Sequence, residues 1–343
     1  MTFLMPNRRL LLLAVLIFSF SGWTQETELP DLNYFKLLHQ VKSVENQSFF
    51  WKDSEKNEEE RTELHFNAEG LLTNRKVFDE DNQLGEEQEF TYDQSGNLIE
   101  ELYTDNKVNK ATYKTSSTYS DENIKLTQAN FNPDGSRAQS KTWEYDDRGN
   151  LTALKETLHN SESARSIVFK YDSEGNKQEE IEYSKDWPDR KYTYQANQGK
   201  VVNKKEYRNI DEKEEWVLDY ETRFIYNSSG AEIERKEIGY DQDSGEIIDE
   251  RTIKTTYDEQ GNPVKIQEEY QRKDVDGRNR SEVTTFDKNG NQLTYTADIS
   301  GREKQEETAE YEFDEHGNWI SKLLKRNGEP LSAEERTIEY YTK

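Results

Sequence analysis

Apolar and polar residues alternate along most of this chain, and short polar segments interrupt the alternation at regular intervals. Ahead of each interruption, aromatic residues stand two positions apart, as in Phe90/Tyr92 and Trp143/Tyr145, and the positions between them are mostly Glu, Lys, Thr or Ile. A period of two is typical of a β-strand with one buried face. The pattern therefore predicts strands along nearly the whole chain.

The interruptions share one motif, an aromatic residue followed by Asp or Asn, two further residues and Gly. Eight full copies start at Phe66, Tyr92, Tyr145, Tyr171, Tyr226, Tyr257, Phe286 and Phe313, and two degenerate copies start at Tyr119 and Tyr194. Asp-x-x-Gly favours a type I turn closed by a residue with positive φ, which Gly adopts without strain. We therefore expect Asp93 to cap a turn and Tyr92 to form part of the buried face.

A second, looser turn of variable length follows each motif after about eight residues, so each repeat predicts two antiparallel strands. The fold class expected is all-β, an antiparallel meander of about ten β-hairpin repeats forming a curled or spiralling sheet, because open sheets rarely exceed about ten flat strands. Whether the sheet closes or stays open is not decided by the pattern.

Three segments divide the chain. Residues 1–24 carry two arginines and the apolar run LLLLAVLIFSF and predict a cleaved signal peptide, with an uncleaved anchor as the alternative. Residues 25–40 are expected to form an N-terminal cap, in which 31–40 is a short helix or cap. Residues 41–343 predict one YD-type β-hairpin repeat array that fills the rest of the chain.

Charge and cysteine content narrow the compartment and the partners. The chain has 71 acidic and 46 basic residues; without Arg8 and Arg9 of the signal peptide, 44 − 71 gives a net charge of −27. Such a charge repels nucleic acid and anionic lipid, so we expect a protein or glycan partner, no nucleic acid and no membrane span after signal cleavage. With no cysteine, the chain can be neither lipidated at a lipobox nor disulfide-bonded. The prediction is a soluble protein that is secreted or periplasmic, in a Gram-negative-type cell envelope.

The motif Tyr-Asp-x-x-Gly-Asn followed by an apolar strand resembles the YD repeat of RHS-type proteins. The resemblance covers nearly all of 41–343, and the Asn after Gly recurs at Asn97, Asn150, Asn176, Asn262, Asn291 and Asn318. It implies β-hairpin repeats that wrap as a spiralling sheet in an exported or surface protein, with carbohydrate binding suggested for some members. The sequence departs from the family because it contains no self-cleaving segment of the Asp-Pro-x-Gly-Leu type, and we expect no C-terminal toxin domain. The shorter hairpin repeats of MORN-like proteins are a weaker resemblance.

Catalytic and cofactor motifs are missing from the sequence. No two glycines are close enough for a nucleotide-binding loop or a nucleophile elbow, and none of the four histidines is followed by Glu. We therefore expect no enzyme, no cofactor, no catalytic residues and no metal ligands. Calcium stays an alternative because three loops are rich in acid (79–87, 241–250 and 274–277), although none has EF-hand spacing.

The residues most suited to ligand binding are Trp187 and Trp216, which lie near the loose turns and outside the repeated aromatic positions. Exposed indoles can stack on sugars or anchor a protein partner, while packing on neighbouring strands is the alternative. The sequence predicts an exported, non-enzymatic repeat protein that acts as a binding surface or scaffold. A polysaccharide-acting enzyme with an unidentified carboxylate pair, and an acidic neutralising or chaperone partner of a secreted basic protein, are the alternatives.

Overall fold

The computed structural model describes residues 30–107, 110–159, 164–210, 215–273 and 279–342. The described residues form 22 antiparallel strands, consecutive along the chain. Their bounds are β1 (Val41–Lys52), β2 (Glu55–Phe66), β3 (Leu72–Phe78), β4 (Leu84–Tyr92), β5 (Leu98–Asp105), β6 (Ala111–Tyr119), β7 (Lys125–Phe131), β8 (Arg137–Tyr145), β9 (Leu151–Leu158), β10 (Ala164–Tyr171), β11 (Lys177–Ser184), β12 (Trp187–Asn197), β13 (Lys200–Asn209), β14 (Trp216–Tyr226), β15 (Glu232–Tyr240), β16 (Ile247–Tyr257), β17 (Pro263–Arg272), β18 (Arg280–Phe286), β19 (Gln292–Ile299), β20 (Gln305–Phe313), β21 (Trp319–Arg326) and β22 (Glu329–Tyr340).

The sheet is a meander that closes on itself. Each strand pairs with its neighbours in sequence, and β1 pairs with both β2 and β22, for example Val44 with Leu64 and with Ile338. The prediction of an all-β antiparallel meander is confirmed, whereas the curled or spiralling sheet is replaced by a closed barrel. Closure pairs the two strands that a spiral would leave as open edges.

The two ends of the barrel differ. Each repeated motif forms a tight turn from an even-numbered to the next odd-numbered strand, and all these tight turns lie at one end. At each of the ten tight turns the ladder has a register shift, as at Thr91/Tyr92, which marks a β-bulge. The opposite end carries the turns predicted to be loose, which keep that name here. They vary in length, and three of them (53–54, 185–186 and 327–328) are only two residues long.

Along many strands one face is more buried than the other, as the alternation along β20 shows, where Glu307, Ala309 and Tyr311 are less exposed than Glu306, Thr308 and Glu310. In β14 and β15 the burial reverses locally, since Glu221 (6%) and Ile238 (3%) lie on the opposite face from the exposed Tyr220. Side chains converge on the concave side of a closed sheet, so we take the more buried face as the inward one. The aromatic pairs of the repeats, such as Tyr192 and Tyr194, lie on this face. Twenty-two strands about 4.8 Å apart make a wall about 105 Å around, wide enough to leave a lumen.

Residues 30–40, here named the strap, form turns and no helix. The backbone N–H of Leu32 donates to Gly70 O (3.0 Å) and that of Leu72 to Pro30 O (2.8 Å), so the strap begins on the turn between β2 and β3. Leu37 is buried in an apolar cluster with side chains of β1, β2 and β3.

The other end of the strap lies beyond the β1–β22 seam. Asn318, which is 2% exposed, accepts a hydrogen bond from the Leu38 N–H (2.7 Å) and donates one to Leu38 O (3.0 Å). The strap therefore contacts tight turns on both sides of the seam where the barrel closes.

Candidate binding surfaces

The repeated Asp has a structural role. Asp93 Oδ1 accepts hydrogen bonds from the backbone N–H groups of Ser95 (2.8 Å) and Asn97 (2.9 Å), and Oδ2 accepts one from Asn97 Nδ2 (2.9 Å). These bonds, the Asn97 side chain foremost, hold the pKa of Asp93 below its ordinary value. The predicted turn cap is confirmed. The sequence alone did not predict the role of the Asn that follows Gly, which is to bond the carboxylate of the turn Asp. The same contacts recur at Asp146, Asp172, Asp258 and Asp287.

The repeated Tyr has a structural role as well. The hydroxyl of Tyr171, at the end of β10, donates to the backbone carbonyl of Leu151 (2.9 Å), the first residue of β9. Each such bond therefore connects one tight turn to the preceding one. Equivalent bonds join Tyr92 to Leu72, Tyr119 to Leu98, Tyr145 to Lys125, Tyr226 to Val201 and Tyr257 to Glu232. In the copy that starts at Phe313, Tyr311 makes the bond instead, to Gln292 O. The side chains of the repeated motif therefore bond other parts of the barrel wall.

Polar side chains cross the middle of the inward face. Arg251 donates to Glu237 (3.3 Å) and Glu268 (2.7 Å), and Arg280 donates to Glu268 (3.4 Å) and Glu282 (2.8 Å), so one network spans β15 to β18. The bond to Glu268 raises the pKa of Arg251.

A second inward network runs across β7, β8 and β9. Asn130 Nδ2 donates to Gln139 Oε1 (2.8 Å) and Gln139 Nε2 donates to Glu156 Oε1 (2.6 Å). Further along, Glu180, only 1% exposed, accepts from Lys177 Nζ and the Tyr194 hydroxyl (both 2.9 Å). Carboxylates held in this way stabilise the wall.

The loose-turn mouth exposes apolar side chains toward the lumen. Trp187 is 39% exposed and pairs with Ser184 of β11. Ser184 pairs with Arg165 of β10, and Arg165 pairs with Glu156 of the inward network, so Trp187 lies on the inward face as well. Ile210, the residue directly after β13, is 48% exposed at the same end. The other large side chains exposed on this face near the loose turns are Tyr113, Leu158 and Tyr220.

The two predicted ligand-binding tryptophans do not share a site. Trp216, the first residue of β14, lies on the outward face, where Lys191 Nζ is 4.7 Å from its ring centroid and 4.9 Å from that of Tyr207. That contact occupies one side of the indole. Of the pair, Trp187 alone lines the lumen.

A cavity of about 630 Å³ lies at the tight-turn end, between turns 93–97 and 120–124. Its lining residues are Asp93, Ser95, Ile99, Ser117, Thr118, Tyr119, Ser120, Asp121 and Asn123. Here the repeat departs from its own pattern. Ser120 replaces Asp, and its hydroxyl accepts longer bonds from the N–H groups of Glu122 (3.2 Å) and Ile124 (3.3 Å).

The acid-rich loops are organised as turns. Asp79 Oδ1 accepts from the N–H groups of Asp81 and Gln83, and Asp241 Oδ1 accepts from those of Asp243 and Ser244. The third loop, 274–277, lies outside the described residues. In the part of the chain that the structure describes, no group of three His, Asp or Glu side chains could hold a metal ion. Calcium binding stays an untested alternative.

The described part of the chain contains no helix that is long and apolar enough to cross a membrane. No family model matches the chain, and the search of curated proteins found no match.

Solved structures with some likeness include the crystal structure of TcdB2-TccC3-TEV (15% identity, TM-score 0.33), covering 82% of this chain and 18% of that one. The Photorhabdus luminescens Tc holotoxin pore has 14% identity and a TM-score of 0.33, covering 82% of this chain and 19% of that one. A porin-like protein from Bacteroides uniformis has 13% identity and a TM-score of 0.29, covering 87% of this chain and 96% of that one. This chain thus spans about a fifth of the toxin chains, and TM-scores this low assign it neither family nor function.

Proposed function

We propose that this chain is an exported, non-enzymatic scaffold, a hollow barrel that binds a protein partner at the inward side of its loose-turn mouth. The observation that carries the proposal is the exposure of Trp187 (39%) and Tyr220 (41%) on the inward face toward that end, with Ile210 (48%), the residue after β13, exposed at the same end. A contiguous exposed apolar patch marks an interaction site, and the proposal requires these three side chains to form one.

The contrast between the two ends supports this location. At the tight-turn end the repeated Tyr and Asp side chains are engaged in bonds within the wall, as at Tyr171 and Asp93. Loose turns vary in length and sequence, and variable loops on a rigid scaffold are where binding residues concentrate. Tyr and Trp are also the residues that most often anchor protein partners.

Two further features fit a scaffold in water outside the cytoplasm. The N-terminal segment has the composition of a signal peptide. The outward face carries exposed Lys–Glu pairs, such as Lys170–Glu179 and Lys42–Glu339, which suit a hydrated surface. A hydrolase is less favoured because inward carboxylates such as Glu268 and Glu180 are held by cations or hydroxyls.

Site-specific photo-cross-linking tests the proposal. Benzoylphenylalanine replaces Ile210 in one variant and Ile225 in a matched control; Ile225 is 50% exposed and lies on the outward face. Cells that produce the full chain are irradiated, and a discrete adduct is expected from position 210 and none from position 225. Protease sensitivity of the adduct distinguishes a protein from a glycan. Equal adducts from both positions, a glycan adduct, or none from position 210 would contradict the proposal.

A further inference from the structure

Lysine and arginine side chains of the chain itself bind the tight turns at three places. Arg148 donates to Ser173 O of the next tight turn (3.0 Å). Lys200 donates in the same way to Gly230 O (2.6 Å), and Lys36 of the strap donates to Gly290 O (2.9 Å). The gap beside a tight turn is therefore a place where this fold receives a long cationic side chain.

The cavity between turns 93–97 and 120–124 has no such side chain. Arg148 is the third residue of its turn, and Ser95 holds that position in turn 93–97. None of the described residues that line the cavity is a lysine or an arginine. The nearest link between the two turns is the bond from Asn97 Nδ2 to Asn123 Oδ1 (2.9 Å), which leaves the cavity open.

The lining of this cavity suits a positive charge. Asp93 has a lowered pKa because Asn97 and the turn N–H groups bond its carboxylate, so it stays ionised at neutral pH. Asp121 supplies a second carboxylate, and Ser117, Thr118 and Ser120 supply hydroxyl oxygens. A volume of about 630 Å³ is ample for one long side chain.

We propose that this rim cavity binds a lysine or arginine side chain of a basic protein partner, which takes the place that Arg148 and Lys200 fill at other turns. Charge-assisted hydrogen bonds from the ammonium or guanidinium group to carboxylate and turn carbonyl oxygens hold it. The excess of acidic residues over the whole chain attracts a basic partner to this surface. The site lies at the opposite end from the apolar mouth and does not depend on it.

The test uses a fluorescein-labelled tetralysine peptide and the mature full chain at about 150 mM salt, where long-range attraction is largely screened. Ser95→Arg supplies the missing cation, and Gln260→Arg adds the same charge at the same position of a different turn. Fluorescence anisotropy should show about tenfold weaker binding for Ser95→Arg and less than about twofold for Gln260→Arg.

A second matched pair removes charge from the site. Asp121→Asn lies in the cavity lining, and Asp147→Asn is the same turn position in turn 146–150. Asp121→Asn should weaken binding about threefold or more, and Asp147→Asn should leave it unchanged. Equal losses within each pair would mean general attraction to an acidic surface and would overturn the proposal, as would wild-type binding in both Ser95→Arg and Asp121→Asn.

Discussion

Replacing Tyr171 with phenylalanine should destabilise the barrel through the loss of a single hydrogen bond. The substitution keeps the ring and removes the hydroxyl that donates to Leu151 O at 2.9 Å. A bond of this kind contributes about 1 kcal/mol net to the free energy of unfolding. For a chain of this size, that loss lowers the melting temperature by roughly 2 °C.

The repeat makes the effect cumulative. Tyr→Phe at Tyr92, Tyr119, Tyr171 and Tyr257 removes four such bonds on separate hairpins. Distant substitutions add, so the loss should approach about 4 kcal/mol, a large share of the roughly 5–15 kcal/mol that stabilises a typical native protein.

Urea unfolding followed by tryptophan fluorescence measures the midpoint, with Tyr113→Phe as the control because Tyr113 is exposed at the loose-turn end. The reasoning is refuted if the quadruple variant unfolds at the same urea concentration as the Tyr113→Phe variant.

Three other substitutions test the turns, the aromatic face and the strap. Asp172 has a pKa below its ordinary value because Asn176 bonds it, so its contribution is present above the unfolded pKa of about 4 and is lost as pH falls through the folded value. Thermal melts of Asp172→Ala and the parent should therefore differ at pH 7 and converge toward pH 2; a constant gap contradicts this. Burial raises the pKa of Tyr311 to about 12, so stability should fall above about pH 10, where the unfolded chain ionises first. Tyr311→Phe should show a smaller decline in an alkaline titration, and an unchanged curve would count against it. Leu37→Ala should cost about 2–4 kcal/mol and speed amide exchange in β1 and β22, whereas exposed Leu293→Ala should do neither.

Particular residues show how far the sequence could be read. Asp93 and Gly96 were interpretable because turn chemistry is local, and Gly96 has the positive φ, 84°, that the turn requires. The role of Asn97 could not be interpreted from the sequence, because its side-chain amide contacts the carboxylate of Asp93 only once the turn has formed. Trp187 and Trp216 look alike in sequence, and only strand register places one toward the lumen and the other outward.

The sequence by itself determined the elements of this protein: an all-β chain, the positions of its tight turns and the aromatic side of each hairpin. These follow from alternation and turn-forming residue types within a few neighbours. Closure was decided only by tertiary structure. It depends on β1 meeting β22 and on the strap binding turns on both sides of the seam, contacts such as Leu38–Asn318 between residues 280 positions apart. No local pattern specifies such contacts, because the distance between the chain ends is set by the accumulated twist and curvature of all 22 strands.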